Sequence, residues 1–129
     1  MANISILITS APTASQNAYS ALRFAQTVHS SEHKLLGIFF YQDGVLNASG
    51  LQTYASDEFN LYQAWVDLAR QHNCPLLVCV TAAGKRGVLS QFDAQENDQV
   101  NFNLSEPFQS VGLGDLAILM RDSDRLVQF

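Results

Sequence analysis

Two cysteines carry most of the reactive chemistry available to this chain. Cys79 lies near the end of the run PLLVCV, residues 75–80, and TAAGKRG follows it. An apolar run that gives way to small residues reads as a strand feeding a short helix from Thr81 to Leu89. In open parallel sheets reactive groups gather beyond the carboxyl ends of the strands, and Cys79 falls at that end. The backbone amides of Thr81 and Ala82 would then point back towards the sulfur, with Lys85 and Arg86 adding positive charge one turn on. Such surroundings favour a thiolate, the nucleophilic form of cysteine. Gly84 weakens the same helix, so its start is expected to be short. The opposing reading is a small buried hydrophobe, the common state of a cysteine between two valines.

Cys74 sits at the other end of the same strand, roughly 16 Å away at about 3.3 Å per residue. A disulfide spans far less. A reactive Cys79 would therefore exchange with a thiol on another molecule, leaving Cys74 a structural role. The cysteines have neither CxxC nor zinc spacing, so no metal is expected. His29, His33 and His72 fall near helix ends, where dipole contacts and solvent account for them without catalysis. Ser10, Thr13 and Ser15 stand where a phosphate loop would, but no glycine-rich fingerprint accompanies them. They read as turn and cap residues. Asp57 and Glu58 are adjacent and diverge on a helix, which suits capping better than paired acid–base work.

The elements that would position Cys79 follow from the apolar pattern. Asn3 to Thr9 predicts a buried strand, and Ser15 to about Ser30 an amphipathic helix built on Ala18, Leu22, Ala25 and Val28. Lys34 to Tyr41 predicts a second strand, buried on both faces. Gln42 to Ala55 reads as a long loop of the functional kind. Ser56, Asp57 and Glu58 would cap a second helix running to His72. Its apolar residues, Phe59 to Ala69, span roughly 220° at about 100° per residue, about twice the width a surface helix needs. Part of that arc is expected to meet another subunit, the alternative being a helix sunk deep in its own core. Ser90 to Glu106 carries four acids and no base, predicting a solvated loop or a mobile docking segment. Gly112 to Arg121 predicts a helix and Asp124 to Phe129 a closing strand.

Alternating strands and helices in one chain of 129 residues imply a single α/β domain: a three-layer sandwich with a mostly parallel sheet, flavodoxin-like in the broad sense. A formal charge of −5 with only seven Lys and Arg argues against a surface that grips nucleic acid. No run reaches transmembrane length and the start lacks a secretory pattern, so a cytoplasmic protein is expected.

Four segments, FFYQDGVLNA (39–48), SDEFNLYQAW (56–65), LLVCVTAAGKRGV (76–88) and the terminal DRLVQF, give the chain a resemblance to the TusD/DsrE family along nearly its whole length. The resemblance implies a sulfurtransferase in which Cys79 accepts and passes on persulfide sulfur; the position of Thr81, Ala82, Lys85 and Arg86 just after it puts them in support, and the exchange requires no metal or organic cofactor. It also implies a heterohexamer, a dimer of trimers, with TusB-like and TusC-like subunits. Sulfur would arrive from a TusA-like donor and leave on a TusE-like acceptor, ending in 2-thiolation of the wobble uridine of certain tRNAs. A DsrE-type role in sulfur oxidation would use the same cysteine with other partners. A non-catalytic assembly subunit would carry no persulfide, and a flavodoxin-like cofactor binder would need the missing phosphate loop.

Overall fold

The structure, a computed structural model, describes all 129 residues. Five strands, β1 (Asn3–Ile8), β2 (Lys34–Phe40), β3 (Leu76–Cys79), β4 (Phe108–Val111) and β5 (Arg125–Gln128), form one sheet in the order β4-β3-β2-β1-β5. Every pairing is parallel, where a mostly parallel sheet was expected. The helices are α1 (Asn17–His29), α2 (Leu61–His72), α3 (Val80–Lys85), α4 (Gln91–Glu96) and α5 (Leu113–Asp122), with a 3-10 helix over Gln42–Ala48. No helix is long and apolar enough to cross a membrane.

Alternation along the strands sorts the core into two faces. Ile6 pairs with Ile38 and Ile8 with Phe40, and Phe40 in turn meets the ring of Trp65 from α2 at 5.4 Å. The opposite face carries Ser5, Gly37, Leu77 and Cys79. There Leu119 of α5 approaches within 3.3 Å of where a Cβ on Gly37 would lie, and Ser5 Oγ is 2.6 Å from Ser123 Oγ. Strands β1 to β4 add in one direction, and the chain then returns to place β5 beside β1. Right-handed crossovers therefore put α1 and α2 on one face and α5 on the other.

Several expectations are corrected. Helix α2 starts at Leu61, where Asn60 Oδ1 accepts from the Gln63 amide at 3.0 Å; Glu58 instead folds back onto the Ala55 amide at 2.8 Å, closing a turn ahead of the helix. Most of the apolar arc of α2 packs within its own chain: Leu61, Trp65, Val66, Leu68 and Ala69 are buried, and Tyr62 stacks on Phe108, while Phe59 just ahead of the helix is exposed. Other exposed apolar side chains include Phe92, Phe102, Ile118 and Met120. The stretch Ser90 to Glu106 is mostly exposed, as expected of a solvated segment, but it carries α4 and is fastened to the fold. Ser90 caps α4 by accepting from the Asp93 amide, while the Asn103 side chain donates to Ser49 Oγ and the Gly87 carbonyl and accepts from the Leu89 amide.

The segment after β2 is likewise a packed 3-10 helix where an open loop was expected. Gly44 lies so close to β1 that a Cβ there would collide with the Ile8 carbonyl oxygen and come within 2.7 Å of its carbon. Asn47, fully buried, donates to the Ser10 and Gly44 carbonyls and accepts from Trp65 Nε1. This network fixes the 3-10 helix across the carboxyl end of the sheet.

Candidate active site

Cys79 is the last residue of β3 and the N-cap of α3, with an extended backbone. Parity places its side chain on the α5 side of the sheet. The residue is only 2% exposed, yet it lines a cavity of about 320 Å³ with Tyr41, Gln42, Thr81, Ala82, Lys85, Arg86 and Leu113. All five residues singled out from the sequence, Cys79, Thr81, Ala82, Lys85 and Arg86, thus meet at one cavity. Tyr41 and Leu113 were missed, and Gln42 was anticipated only as the start of a functional loop. Register explains their presence: Phe40 pairs with Val78 and Cys79 with Val111, so the residues leaving β2 and β4 flank the cysteine. Once β4 is known, the shared carboxyl edge of a parallel sheet is the signal that would have found them.

The cations are not equivalent. Arg86 Nε donates to Asp43 Oδ1 at 2.8 Å and Nη1 to the Ala82 carbonyl at 3.1 Å, so Arg86 ties α3 to the 3-10 helix across the cavity wall. Lys85 is exposed and makes no ion pair. Helix α3 starts at Val80, which was expected in the strand, and ends at Lys85 where Leu89 was expected, and Gly87 turns the chain with φ at 73°. The first amides of any helix lack an intrahelical acceptor, leaving donors just beyond the sulfur.

Cys74 stands apart at the start of β3, and burial pushes its thiol up to about 12. Both cysteines are free. At the same amino end of the sheet His29 and His72 stack with ring centroids 4.1 Å apart, well away from the Cys79 cavity. Ser15 accepts from the Asn17 amide and Ser10 from the Asn17 side chain, the turn roles expected of them. No three His, Cys, Asp or Glu side chains converge in a way that could hold a metal.

A buried thiol at a strand end, with donors beside it and no second thiol near, suits exchange with a sulfur carried by another molecule. A model of the DsrE/DsrF-like family matches residues 2–129. The chain belongs to the DsrE/DsrF-like family. Among its relatives, the sulfurtransferase TusD homolog of Vibrio vulnificus strain YJ016 is 48% identical over 115 residues, covering 89% of this chain and 88% of its own. Sulfurtransferase TusD of Serratia proteamaculans strain 568 is 44% identical over 129 residues and aligned along the whole of both chains. The crystal structure of the ychN protein from E. coli superimposes with a TM-score of 0.77 over all of both chains at 20% identity. That likeness establishes the DsrE-like α/β fold.

Proposed function

We propose that this DsrE/DsrF-like chain is a persulfide sulfurtransferase of the TusD type, with Cys79 as the sulfur carrier. The observation that carries the reading is the placement of Cys79 alone at the cavity of the carboxyl edge, in a chain 44% identical end to end to a protein named sulfurtransferase TusD. In the forward step the Cys79 thiolate attacks the terminal sulfur of a donor persulfide. A new S–S bond forms on Cys79, the donor S–S bond breaks, and its electron pair leaves on the donor thiolate. An acceptor thiolate then takes the terminal sulfur and returns Cys79 as thiolate, so the cycle needs no net oxidant. The first amides of α3 and the Lys85 ammonium supply donors and positive charge for the anionic sulfur. Arg86, held by Asp43 and the Ala82 carbonyl, shapes the wall.

The relay we assign to it takes sulfur from a TusA-like donor, passes it to a TusE-like acceptor and ends in 2-thiolation of the tRNA wobble uridine. TusB-like and TusC-like subunits complete a heterohexamer around it. Its acidity fits contacts with proteins upstream of the RNA. The test is intact-mass and peptide analysis after treatment with glutathione persulfide. One reductant-labile sulfur should appear on the Cys79 peptide, be absent in Cys79→Ser and persist in Cys74→Ser. Normal sulfur transfer by Cys79→Ser would overturn the reading.

A further inference from the structure

We propose that Gln42 contacts the reacting sulfur, its side-chain carboxamide donating an N–H to the terminal sulfur carried on Cys79. The inference rests on the sulfurtransferase reading and deepens it by naming a residue outside the Cys79 segment. Three non-glycine residues have a left-handed backbone: Gln42 with φ at 52°, Asn73 at 50° and Asp98 at 57°. Asn and Asp are the types that tolerate this conformation. Asn73 also ends α2 as its left-handed cap. Gln42 is not a tolerant type and opens a 3-10 helix instead of closing one, and a glycine at its place would sit without strain.

The surroundings hold the strain in place. The Tyr41 amide donates to the Ile8 carbonyl and the Gly44 amide to the Tyr41 carbonyl, while Asp43 is fixed by Arg86. The Gln42 side chain contributes nothing to this clasp: it is exposed and lines the Cys79 cavity, and none of the chain's side-chain hydrogen bonds involves it. A strained backbone that presents an unpartnered side chain to a reactive group is a feature of functional sites. A carboxamide suits the task, since it offers two N–H donors without a fixed charge to a sulfur whose charge comes and goes during exchange.

The experiment compares the full-length chain with Gln42→Gly and Gln42→Glu, using glutathione persulfide as sulfur donor. Melting midpoints and single-turnover rates of Cys79 loading are measured on each. Gln42→Gly should melt about 2–4 °C higher, because strain is relieved. It should also load roughly ten-fold more slowly, because a donor to an anion is lost. Gln42→Glu should load more slowly still, since a carboxylate repels the sulfur anion. A Gln42→Gly protein that loads at the wild-type rate, or melts lower, overturns the inference, as does a Gln42→Glu protein of unchanged rate. A wild-type chain that takes no sulfur on Cys79 overturns the sulfurtransferase reading instead, and this inference with it.

Discussion

Asn47 should be among the least replaceable polar residues of the chain, and Asn47→Ala measures why. Its side chain is fully buried and makes three hydrogen bonds, at 3.1 Å to the Ser10 carbonyl, 2.8 Å to the Gly44 carbonyl and 3.2 Å from Trp65 Nε1. Truncation leaves an indole N–H and two carbonyls without that partner. At about 1–3 kcal/mol for a buried unsatisfied group, with the carbonyls at the low end, the loss sums to roughly 3–5 kcal/mol. That is a large share of the roughly 5–15 kcal/mol by which domains are stable. Equilibrium urea unfolding followed by circular dichroism gives the number directly. Trp65→Phe removes one of the three bonds, so the double variant should show a coupling of about 1 kcal/mol between the two positions. The damage should reach the cavity as well, because Asn47 anchors the helix that presents Gln42 and Asp43, and Cys79 should load sulfur more slowly. A loss under about 1 kcal/mol with an unchanged denaturant slope would refute the claim that this network holds the 3-10 helix.

Gly44→Ala should destabilise the fold by about 3 kcal/mol, since the new methyl meets the Ile8 backbone of a central strand and neither can yield; a midpoint shift in urea checks this, and a neutral result would mean the approach to β1 is looser than described. Burial, and then the neighbouring His72, hold the His29 imidazole below its ordinary 6.5. The unfolded chain therefore binds the extra proton first. Stability should be full above pH 6.5, fall as pH drops through that value and level off once folded His29 is itself protonated. His29→Gln should flatten the slope between pH 7.5 and 5.5, and an unchanged slope would assign the effect to other groups.

The elements that escaped the sequence share a physical cause. Strand β4 is FQSV, with Gln109 exposed and Ser110 occupied by Asp93, so an edge strand lacking a continuous apolar run gave no strand signal. Helix α4 is six residues long and polar, and its Ser90 cap is the one local cue that marks it. The start of α2 was misplaced because Ser56, Asp57, Glu58 and Asn60 all have capping chemistry, and only the backbone decides which of them accepts from an amide three residues on. The breadth of its apolar arc was read correctly. Most of its cover comes from the same chain, which periodicity could not decide, because it measures how much of a helix is covered and says nothing about the source of the cover.

Order along the chain was legible without coordinates: the strand, helix, strand alternation, the end of β3 at which Cys79 falls, and the small and basic residues Thr81, Ala82, Lys85 and Arg86 that follow it. These depend on local spacing, since a strand that runs directly into a helix carries its neighbours with it. The far wall of the cavity depends on pairing. Tyr41, Gln42 and Leu113 come from segments 37 to 38 residues before Cys79 and 34 after it in the chain, and only parallel register at the common edge brings them together. The same holds for the left-handed backbone of Gln42 and for the Asp43–Arg86 tie. Both arise because Gly44 and Asn47 lock the 3-10 helix against β1, a contact between residues far apart in sequence that no local pattern encodes.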